Sequence, residues 1–327
     1  MKRILVTGAS GFVGRTLCPA LEKAGFSVVA TSRTKKELPY VSEVRLVADL
    51  TDTNTLRSAM VGIECIIHLA ARAHVMDDQS SNPMAEYRRI NVDGTRAIAK
   101  VASQLGVKRL VFLSSVKVNG EQTFENSYTA SDIPAPEDPY GISKFEAEQA
   151  LQEISVRTGL ETAIVRTPLV YGPDVRANFL SLISLANSSA PLPFGAITDN
   201  RRSLIYIQNL VDLLITVTHH PAAKGHIFLA RDGVDLSTAE LIRQLRAALG
   251  KSARMVAIPS TILRGLLSVL GKRNIGDRLL GSLAIEDQAT RDVLGWSPPF
   301  SIEDGLKQTA DWYLSNKRSR LSHSAEG

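Results

Sequence analysis

Two side chains that could move a proton together stand four residues apart in the middle of the chain. Tyr140 and Lys144 occur in the segment Asp138-Pro-Tyr-Gly-Ile-Ser-Lys144, and their spacing puts both on one face of a predicted helix. A free tyrosine titrates near pH 10, so only about one in a thousand is a phenolate at pH 7. A lysine ammonium held beside the phenol favours its charged form and makes it usable as an acid or a base. Because this spacing arises by chance in roughly a quarter of such chains, the surrounding elements decide its meaning.

A glycine-rich turn near the start of the chain predicts a dinucleotide site. The apolar strand Ile4-Leu-Val-Thr7 leads into Gly8-Ala-Ser-Gly11-Phe-Val-Gly14 and then into an amphipathic helix. The glycines permit a tight turn, a close approach of the backbone to a pyrophosphate and close packing of helix on strand. The pyrophosphate then lies at the helix N-terminus, where free N–H groups favour an anion. The predicted contacts in this turn are Gly8, Ser10, Gly11, Phe12, Val13, Gly14 and Arg15.

The residues that follow the second predicted strand favour NADP. The strand Val28-Val-Ala-Thr31 ends just before Arg33, in a place where NAD-specific sites usually carry an Asp or Glu for the ribose hydroxyls. The Arg33 guanidinium can meet a 2′-phosphate, and Arg15 provides a second clamp. Two alternatives stay open: both arginines are solvated surface residues, or the protein uses NAD as well. Asp49 and Leu50 follow the third strand and are predicted to lie at the adenine edge.

The composition argues against several other classes of protein. The 327 residues are 44% apolar, which is enough for a substantial core. The net charge is +5 and the pI about 9.2, but the basic residues are scattered, without a tract suited to nucleic acid. No apolar run reaches the ~20 residues that a spanning helix needs. The basic, leucine-rich segment 259–273 could rest on a membrane surface, but packing on the protein is the preferred interpretation.

The cysteines and the N-terminal segment favour a cytoplasmic protein. Cys18 and Cys65 lie in apolar runs and are predicted to be buried free thiols, and no Cys/His cluster suggests a metal site. Met1-Lys-Arg leads straight into a strand rather than into a signal peptide.

The order of the predicted elements indicates the fold class. Apolar β-branched runs alternate with helical patterns, which predicts a parallel sheet covered by helices. The predicted strands are Arg3–Val6, Ser27–Thr31, Val44–Val47, Cys65–Leu69, Arg109–Leu113 and Thr162–Val165. The helices between them are predicted at Gly11–Ala24, Thr53–Met60, Met84–Leu105 and Tyr140–Thr158. The segment Asn119–Asp138, rich in Ser, Pro, Glu and Asp, is predicted to be an active-site loop.

After Arg166, prolines and glycines break the chain into shorter elements. We therefore predict an α/β fold of the Rossmann type, a doubly wound parallel sheet with a smaller mixed α/β substrate lobe. Residues 1–166 are expected to form the dinucleotide-binding domain with the catalytic residues, and residues 167–317 mainly the substrate lobe. Strands Ser203–Ile207 and His226–Leu229 are expected to return to the main sheet, and residues 318–327 to be a disordered tail.

Motifs along nearly the whole chain resemble those of the extended short-chain dehydrogenase/reductases, in the branch of nucleotide-sugar epimerases, dehydratases and reductases. The motifs are Thr7-Gly-Ala-Ser-Gly-Phe-Val-Gly14, His68-Leu-Ala-Ala71, Asn91-Val-Asp-Gly-Thr95, Leu113-Ser-Ser115, Tyr140-Gly-Ile-Ser-Lys144, Tyr171-Gly-Pro173 and Leu294-Gly-Trp296.

This resemblance implies a role for each catalytic residue. Tyr140 exchanges a proton with the 4-hydroxyl or 4-keto oxygen of the sugar, and Lys144 lowers the pKa of that tyrosine and binds the nicotinamide ribose. Ser115 hydrogen-bonds the same oxygen, with Ser114 as the competing choice. The chemistry is acid–base catalysis coupled to hydride transfer, for which the cofactor supplies the hydride. The matched motifs also assign Leu69, Ala70, Ala71 and Asn91 to cofactor binding, and His68 to a structural role.

The resemblance also implies a set of substrate contacts. Arg72, His74 and Lys117 are expected near the sugar or its phosphates, and Asn178 and Phe179 near the diphosphate and nucleoside. Arg202 matches an arginine that clasps the diphosphate, and Phe194 is expected to help enclose the base. Two departures bear on the reaction. Val116-Lys117 replaces the Asp-Glu pair with which related dehydratases eliminate water, so dehydration is not expected, and Val118-Asn119-Gly120 replaces Val-Tyr-Gly, which alters the pocket wall. A third departure, Arg278-Leu-Leu-Gly281-Ser-Leu283 in place of the Arg-Pro-Gly-Asp nucleotide-binding element, predicts an unusual sugar or carrier.

Within this branch the chain looks most similar to bacterial reductases of UDP-2-acetamido-2,6-dideoxy-4-hexulose, called UDP-N-acetylquinovosamine dehydrogenases in the oxidative direction. The resemblance implies surface-polysaccharide (O-antigen) synthesis with NAD(P)H, NADPH being favoured. The main alternative is a UDP-sugar 4-epimerase with tightly bound NAD, and a third is a dinucleotide-binding sensor or scaffold without catalysis. A homodimer through the helices at Met84–Leu105 and Tyr140–Thr158 is also expected.

Overall fold

A parallel sheet with helices on both faces carries the N-terminal two-thirds of the chain. The computed structural model describes residues 2–34, 37–73, 82–269, 271 and 273–325. Its strands are β1 (Arg3–Thr7), β2 (Ser27–Ser32), β3 (Glu43–Leu46), β4 (Cys65–His68), β5 (Arg109–Ser115), β6 (Glu161–Thr167), β7 (Leu169–Tyr171), β8 (Arg202–Tyr206), β9 (Ile227–Leu229) and β10 (Asp235–Leu236). Seven of these described strands form one parallel sheet in the order β3-β2-β1-β4-β5-β6-β9. The predicted α/β fold of the Rossmann type is confirmed.

The helices of the described residues separate most of the strands, and the last five follow one another after β10. They are α1 (Phe12–Lys23), α2 (Thr53–Ala59), α3 (Pro83–Tyr87), α4 (Gly94–Gln104), α5 (Pro139–Thr158), α6 (Ala177–Ala186), α7 (Ile207–His219), α8 (Thr238–Ala248), α9 (Ser260–Val269), α10 (Arg273–Leu280), α11 (Gln288–Leu294) and α12 (Ile302–Ala325). None of them is both long enough and apolar enough to cross a membrane.

The two faces of the sheet are buried under different helices. Successive strand residues point to opposite faces, so Val6 packs with the α1 and α7 side chains, whereas Leu5 packs under α2, α4 and α5. Burial on both faces explains why the strands are continuous apolar runs. Cys18 in α1 and Cys65 in β4 are buried free thiols, as predicted, and burial raises the pKa of each to about 12.

A second, three-stranded sheet corrects one prediction about topology. Strand β8 does not return to the main sheet but pairs with β7 and β10. The outer edge of β6 is already occupied by β9, so only that returning strand joins the main sheet. Pro168, which has no N–H to donate, separates β6 from β7 and lets the chain leave the main sheet. The division of the chain into domains at residue 166 stays a prediction.

The predicted continuous helix Met84–Leu105 is interrupted by a wider turn. A π-helical segment, Arg88–Asp93, lies between α3 and α4. Its buried Asn91 side chain hydrogen-bonds the backbone of Arg72 and the Ser143 hydroxyl. A π-helical turn inserts a residue into a helix and occurs often at functional sites. Hydrophobic periodicity carries no signal for such an insertion.

The C-terminal helix also differs from the sequence expectation. Helix α12 continues to Ala325, through most of the residues predicted to form a disordered tail. From Leu306 to Ala325 the sequence has neither proline nor glycine, so nothing in it interrupts a helix.

One buried ion pair joins α5 to β6 near the carboxyl ends of the strands. Glu148 and Arg166 are each about 2% exposed, and the Arg166 guanidinium contacts both carboxylate oxygens, the shortest distance being 2.6 Å. Arg166 also donates to the Asn119 amide oxygen at 3.0 Å, and the Ser114 hydroxyl donates to Glu148 at 2.5 Å. Such a pair is costly to break because the remaining charge stays buried.

Replacing Glu148 with alanine is therefore expected to lower the free energy of unfolding by about 3–5 kcal/mol, since the Arg166 charge loses its partner. The measurement is urea unfolding at pH 7. The matched control is Glu153→Ala on the exposed face of the same helix, where loss of the Arg157 ion pair is expected to cost less than about 1 kcal/mol. Equal costs for the two variants would contradict this account.

Candidate active site

The carboxyl ends of β1, β4 and β5 meet at one edge of the sheet, and the glycine turn lies across this edge. Gly8 has φ +71°, and a Cβ there would come within 2.7 Å of the Ala70 nitrogen. At Gly14 a Cβ would lie 2.5 Å from the Gly8 carbonyl oxygen. Only glycine therefore permits this approach of β1, β4 and α1. The turn ends at Gly11, which precedes the first residue of α1, so the helix N-terminus opens onto the cradle that a pyrophosphate needs.

The two arginines predicted for NADP lie on exposed surface near this turn. Arg33 follows β2, and neither it nor the next residue, Thr34, is acidic. Arg15 folds back so that its Nε donates to the Ser10 carbonyl oxygen at 3.0 Å. Phe12 and Val13 are partly buried against the apolar cluster around β7 and β8.

The remaining predicted cofactor residues line the same edge. Asp49 accepts hydrogen bonds from the backbone and hydroxyl of Thr51, which hold the pKa of its carboxyl below the usual range, and it pairs with Arg89. Leu50 packs against Gly94 at the start of α4. Beyond β4, the Leu69 and Ala70 N–H groups donate to Thr7, and Asn91 holds the backbone of the segment that follows Ala71.

The alternation of strand β5 separates the two serines. Ser114 points into the buried Glu148–Arg166 network, where its hydroxyl is already used. Ser115 points the other way, accepts from the Lys117 N–H at 3.3 Å and hydrogen-bonds the Tyr140 phenol. The structure therefore brings Ser115, and not Ser114, to the tyrosine.

Tyr140 lies in the first turn of α5 and is partly buried. Its helix begins after Asp138, whose side chain accepts the Gly141 N–H at 2.6 Å. Burial, followed by the charge of Asp138 and the neighbouring Tyr87, raises the pKa of Tyr140 to about 12, while the hydrogen bond from Ser115 acts in the opposite direction. Lys144 is not among the groups that shift the pKa of Tyr140 here, so the lowering of this pKa by Lys144 stays a prediction.

Lys144 is buried between α5 and β5. Its Nζ donates to the Leu113 carbonyl oxygen at 2.6 Å and lies 3.8 Å from the centre of the Phe112 ring. Burial lowers the pKa of Lys144 to about 7, and the charge of Glu148 one turn further along α5 opposes this shift. The amine is thus poised to gain or lose a proton near neutral pH.

His68, on the neighbouring strand β4, is a structural residue. Its two ring nitrogens are hydrogen-bonded to the hydroxyls of Thr7 at 2.6 Å and Thr95 at 2.9 Å. Burial and the nearby Lys144 charge lower the pKa of His68 to about 3, so it stays neutral. These bonds join β1, β4 and α4 beneath the cofactor edge.

Lys117 is held by two carboxylates. Its Nζ lies 2.7 Å from Glu121 and 2.6 Å from Asp138, in a 3₁₀ turn (Val116–Val118) directly after β5. Val116, in the same turn, is buried against Leu229 and Ile285. The ammonium of Lys117 is thus paired within the protein, and its predicted contact with the substrate stays a prediction.

Arg72 is the other predicted sugar contact on the cofactor side. Its guanidinium lies over the Tyr87 ring at 5.4 Å, and the Tyr87 ring meets the Tyr140 ring edge-on at 6.3 Å. One side chain, that of Tyr87, therefore lies between Arg72 and the Tyr140 ring. His74 lies outside the described residues.

The predicted nucleotide contacts of the second half divide into surface and core residues. Asn178 is exposed in the first turn of α6. Phe179 is fully buried and stacks on Tyr171 at 5.2 Å, and Phe194 is also buried, so both rings pack in the core rather than facing a cleft. Their apolar spacing could not distinguish a core ring from one that encloses a base.

Arg202 extends toward the residues that replace the family's Arg-Pro-Gly-Asp element. It donates to the backbone carbonyl oxygens of Arg278 at 2.5 Å and Gly281 at 3.2 Å. Burial, with the positive charge of Arg278, lowers the pKa of Arg202 to about 10. The charge of Arg278 therefore acts on Arg202, and both arginines lie where the resemblance predicts the diphosphate contact.

Sequence reasoning missed three residues that shape the catalytic centre. They are Asp138, which caps α5 and raises the tyrosine pKa, Tyr87, which packs beside the phenol, and Phe112, whose ring faces the lysine amine. An Asp-Pro pair before a helix is a recognisable capping signal, and it could have identified Asp138. The other two depend on contacts between distant segments.

Comparison with known proteins agrees with this geometry. Residues 4–230 match the NAD dependent epimerase/dehydratase family. The chain is 42% identical over 317 residues to a UDP-glucose 4-epimerase of Vibrio cholerae, covering 96% of each protein. It is 30% identical to the N-acetyl-alpha-D-glucosaminyl-diphospho-ditrans,octacis-undecaprenol 4-epimerase of Escherichia coli O157:H7, covering 99% of each.

Two solved structures have the same fold. The Thermotoga maritima UDP-glucose 4-epimerase with UDP-glucose superposes with a TM-score of 0.77 at 20% identity, over 96% of this chain and 99% of that one, which shows the fold alone. MoeE5 in complex with UDP-glucose and NAD has a TM-score of 0.75 at 27% identity, over 97% and 99%. The family match and the relatives that align along nearly their whole length show that this chain belongs to the NAD dependent epimerase/dehydratase family.

Proposed function

We propose that the protein transfers hydride at C4 of a UDP-linked sugar, with Tyr140 as the proton donor and acceptor. The observation that carries this proposal is the convergence of Ser115, Tyr140 and Lys144 at the end of β5. The relatives named as UDP-sugar enzymes support the substrate class, and the guanidinium pair Arg202 and Arg278 suits a diphosphate.

The residues of the glycine turn suit a nicotinamide dinucleotide. Gly8 and Gly14 leave the backbone of the turn clear at the start of α1, where a pyrophosphate can accept from free N–H groups. When bound, the cofactor supplies or accepts the hydride at the sugar carbon. Ser115 donates to the sugar O4 and Tyr140 passes a proton to or from the same oxygen, while Lys144, one turn further along α5, would bind the nicotinamide ribose.

Net reduction of UDP-2-acetamido-2,6-dideoxy-hexos-4-ulose with NADPH is the reaction we propose. Arg33 follows β2 where an acidic residue would favour NAD, and a reductase consumes one reduced dinucleotide in every turnover. Dehydration is disfavoured because the two positions after Ser115 hold a buried valine and a paired lysine instead of an acid and a base. A role in surface-polysaccharide synthesis and a cytoplasmic homodimer belong to the same proposal.

The second candidate is a UDP-sugar 4-epimerase, which the name of the 42% identical relative favours. The 30% identical relative is also named as a 4-epimerase, but of a sugar carried on diphospho-undecaprenol. An epimerase would use the same three residues but return the hydride to the opposite face of the sugar. The two reactions are separated by adding UDP- and dTDP-4-keto sugars with NADPH or NADH. Stoichiometric oxidation of NADPH supports reduction. The proposed reduction would be overturned if the protein purifies with tightly bound NAD, oxidises no added NADPH and converts UDP-glucose to its C4 epimer.

Replacing Tyr140 with phenylalanine is expected to lower kcat by roughly 100-fold or more, because the sugar oxygen loses its proton donor. The Kd for NADPH, measured by fluorescence titration, is expected to change by less than about twofold. Tyr313→Phe in α12 is the control and should leave both values unchanged. Full activity in Tyr140→Phe would make the proposed mechanism wrong.

The two serines are expected to respond differently to alanine. Ser115→Ala should lower kcat roughly 100-fold through loss of the hydrogen bond to the reacting oxygen, with little change in stability. Ser114→Ala should lower the free energy of unfolding by about 1–2 kcal/mol, because Glu148 loses a buried donor, and should keep most of the activity. Steady-state kinetics and urea unfolding of both variants test this, and the reverse pattern would contradict the assignment.

Replacing Arg33 with aspartate is expected to raise KM for NADPH at least tenfold and to change KM for NADH far less, since a charge-assisted bond to the 2′-phosphate is lost. Arg157→Ala, an exposed arginine near the end of α5, is the control. Equal changes in KM for NADPH and for NADH would mean that Arg33 does not bind the 2′-phosphate.

A further inference from the structure

We propose that Lys117 is a positioning residue for Tyr140: its ion pair with Asp138 fixes the first turn of α5 and shields the catalytic phenol from that carboxylate. This inference rests on the proposed role of Tyr140 at C4, but it holds for reduction and epimerisation alike. It replaces the expectation that Lys117 binds the substrate.

The contacts of the first turn of α5 converge on Lys117. The two carboxylate oxygens of Asp138 have different partners: Oδ2 pairs with Lys117 Nζ at 2.6 Å, and Oδ1 accepts the Gly141 N–H at 2.6 Å. The Lys117 backbone touches the same turn, because a Cβ at Gly141 would lie 2.7 Å from the Lys117 carbonyl oxygen. Side chain and backbone of one residue therefore hold the turn that carries Tyr140.

Lys117 also connects this turn to the strand that presents Ser115. The Ser115 Oγ accepts the Lys117 N–H at 3.3 Å and also hydrogen-bonds the Tyr140 phenol. Movement of Lys117 would thus displace the serine and the tyrosine together. Glu121 is the second carboxylate that holds the ammonium, at 2.7 Å from Nζ.

The charges around Tyr140 explain why the pairing has electrostatic consequences. The groups that face its phenol are Asp138 from the start of the helix, Tyr87 from α3 and Ser115 from β5, with Lys144 one turn further along α5. Asp138 and Tyr87 disfavour the phenolate, whereas Ser115 favours it. A carboxylate paired with an ammonium exerts a weaker field at a distance than a lone carboxylate. Removing either partner should therefore change the pKa of Tyr140, and in opposite directions.

The exposure of the pair favours positioning over substrate contact. The side chains of Lys117 and Asp138 are 22% and 25% exposed, so the pair is mostly shielded from solvent. To reach a phosphate, the Lys117 ammonium would have to leave two carboxylates, Glu121 and Asp138, at hydrogen-bonding distance.

The test is the pH dependence of kcat in variants of both partners. Lys117→Met leaves Asp138 unpaired, so the pKa of Tyr140 should rise by roughly half a unit. Reduction, which needs the protonated phenol, should then persist to higher pH, and oxidation or epimerisation, which needs the phenolate, should begin at higher pH. Asp138→Asn keeps an oxygen for the Gly141 N–H but removes the negative charge. The pH at which reduction declines, and the pH at which oxidation or epimerisation begins, should therefore both be lower than in the wild type. Lys117→Arg keeps the ion pair and should leave the profile within about 0.2 units.

Opposite shifts in Lys117→Met and Asp138→Asn support the proposal, since a merely structural role cannot produce them. A rise in KM for the UDP-sugar with an unchanged pH profile would overturn it in favour of substrate binding. Loss of activity at every pH together with a lower melting temperature in both variants would overturn it in favour of a structural clamp. If the wild-type protein epimerises UDP-glucose but reduces no keto sugar, the proposed reduction fails, while the epimerisation profile still tests the role of Lys117.

Discussion

The buried ammonium of Lys144 constrains the arrangement of the catalytic edge. A charge removed from water needs close partners, and here the Leu113 carbonyl oxygen and the Phe112 ring face provide them from one strand, β5. Helix α5 must therefore lie against the end of that strand, which also brings Tyr140 beside Ser115. The neighbouring His68 is kept neutral by burial and by the Lys144 charge itself, and its ring nitrogens are bound by two threonine hydroxyls, so no second positive charge competes with the lysine.

Burial acts on the two titrating groups in opposite directions. It raises the pKa of Tyr140 to about 12 and lowers that of Lys144 to about 7, because in both cases the charged form is the one disfavoured. Proton transfer then depends on how much negative charge surrounds the phenol. Asp138 is the nearest carboxylate in the described residues that acts on it, and the Lys117 ion pair is the means by which its influence is limited.

The sequence predicts the sheet and the glycine turn because buried parallel strands and a βα phosphate turn leave local signals: apolar runs, glycine spacing and helix periodicity. It does not predict that β8 joins a separate sheet, since that depends on β9 occupying the edge of β6. It also cannot reveal that Phe179 packs in the core or that the Lys117 ammonium is paired, because distant contacts decide both. The π-helical turn at Asn91 is not predicted either, because Asn91 bonds to Ser143, a residue far away in the sequence.

The destination of the hydride tests the central claim most directly. NADPH deuterated at the reactive carbon of the nicotinamide would be incubated with UDP-2-acetamido-2,6-dideoxy-hexos-4-ulose, and the product examined by NMR and mass spectrometry. The account predicts one deuterium at sugar C4 and one oxidised cofactor released for each product molecule. A keto sugar left unreduced, with UDP-glucose converted to its C4 epimer without deuterium, would contradict it.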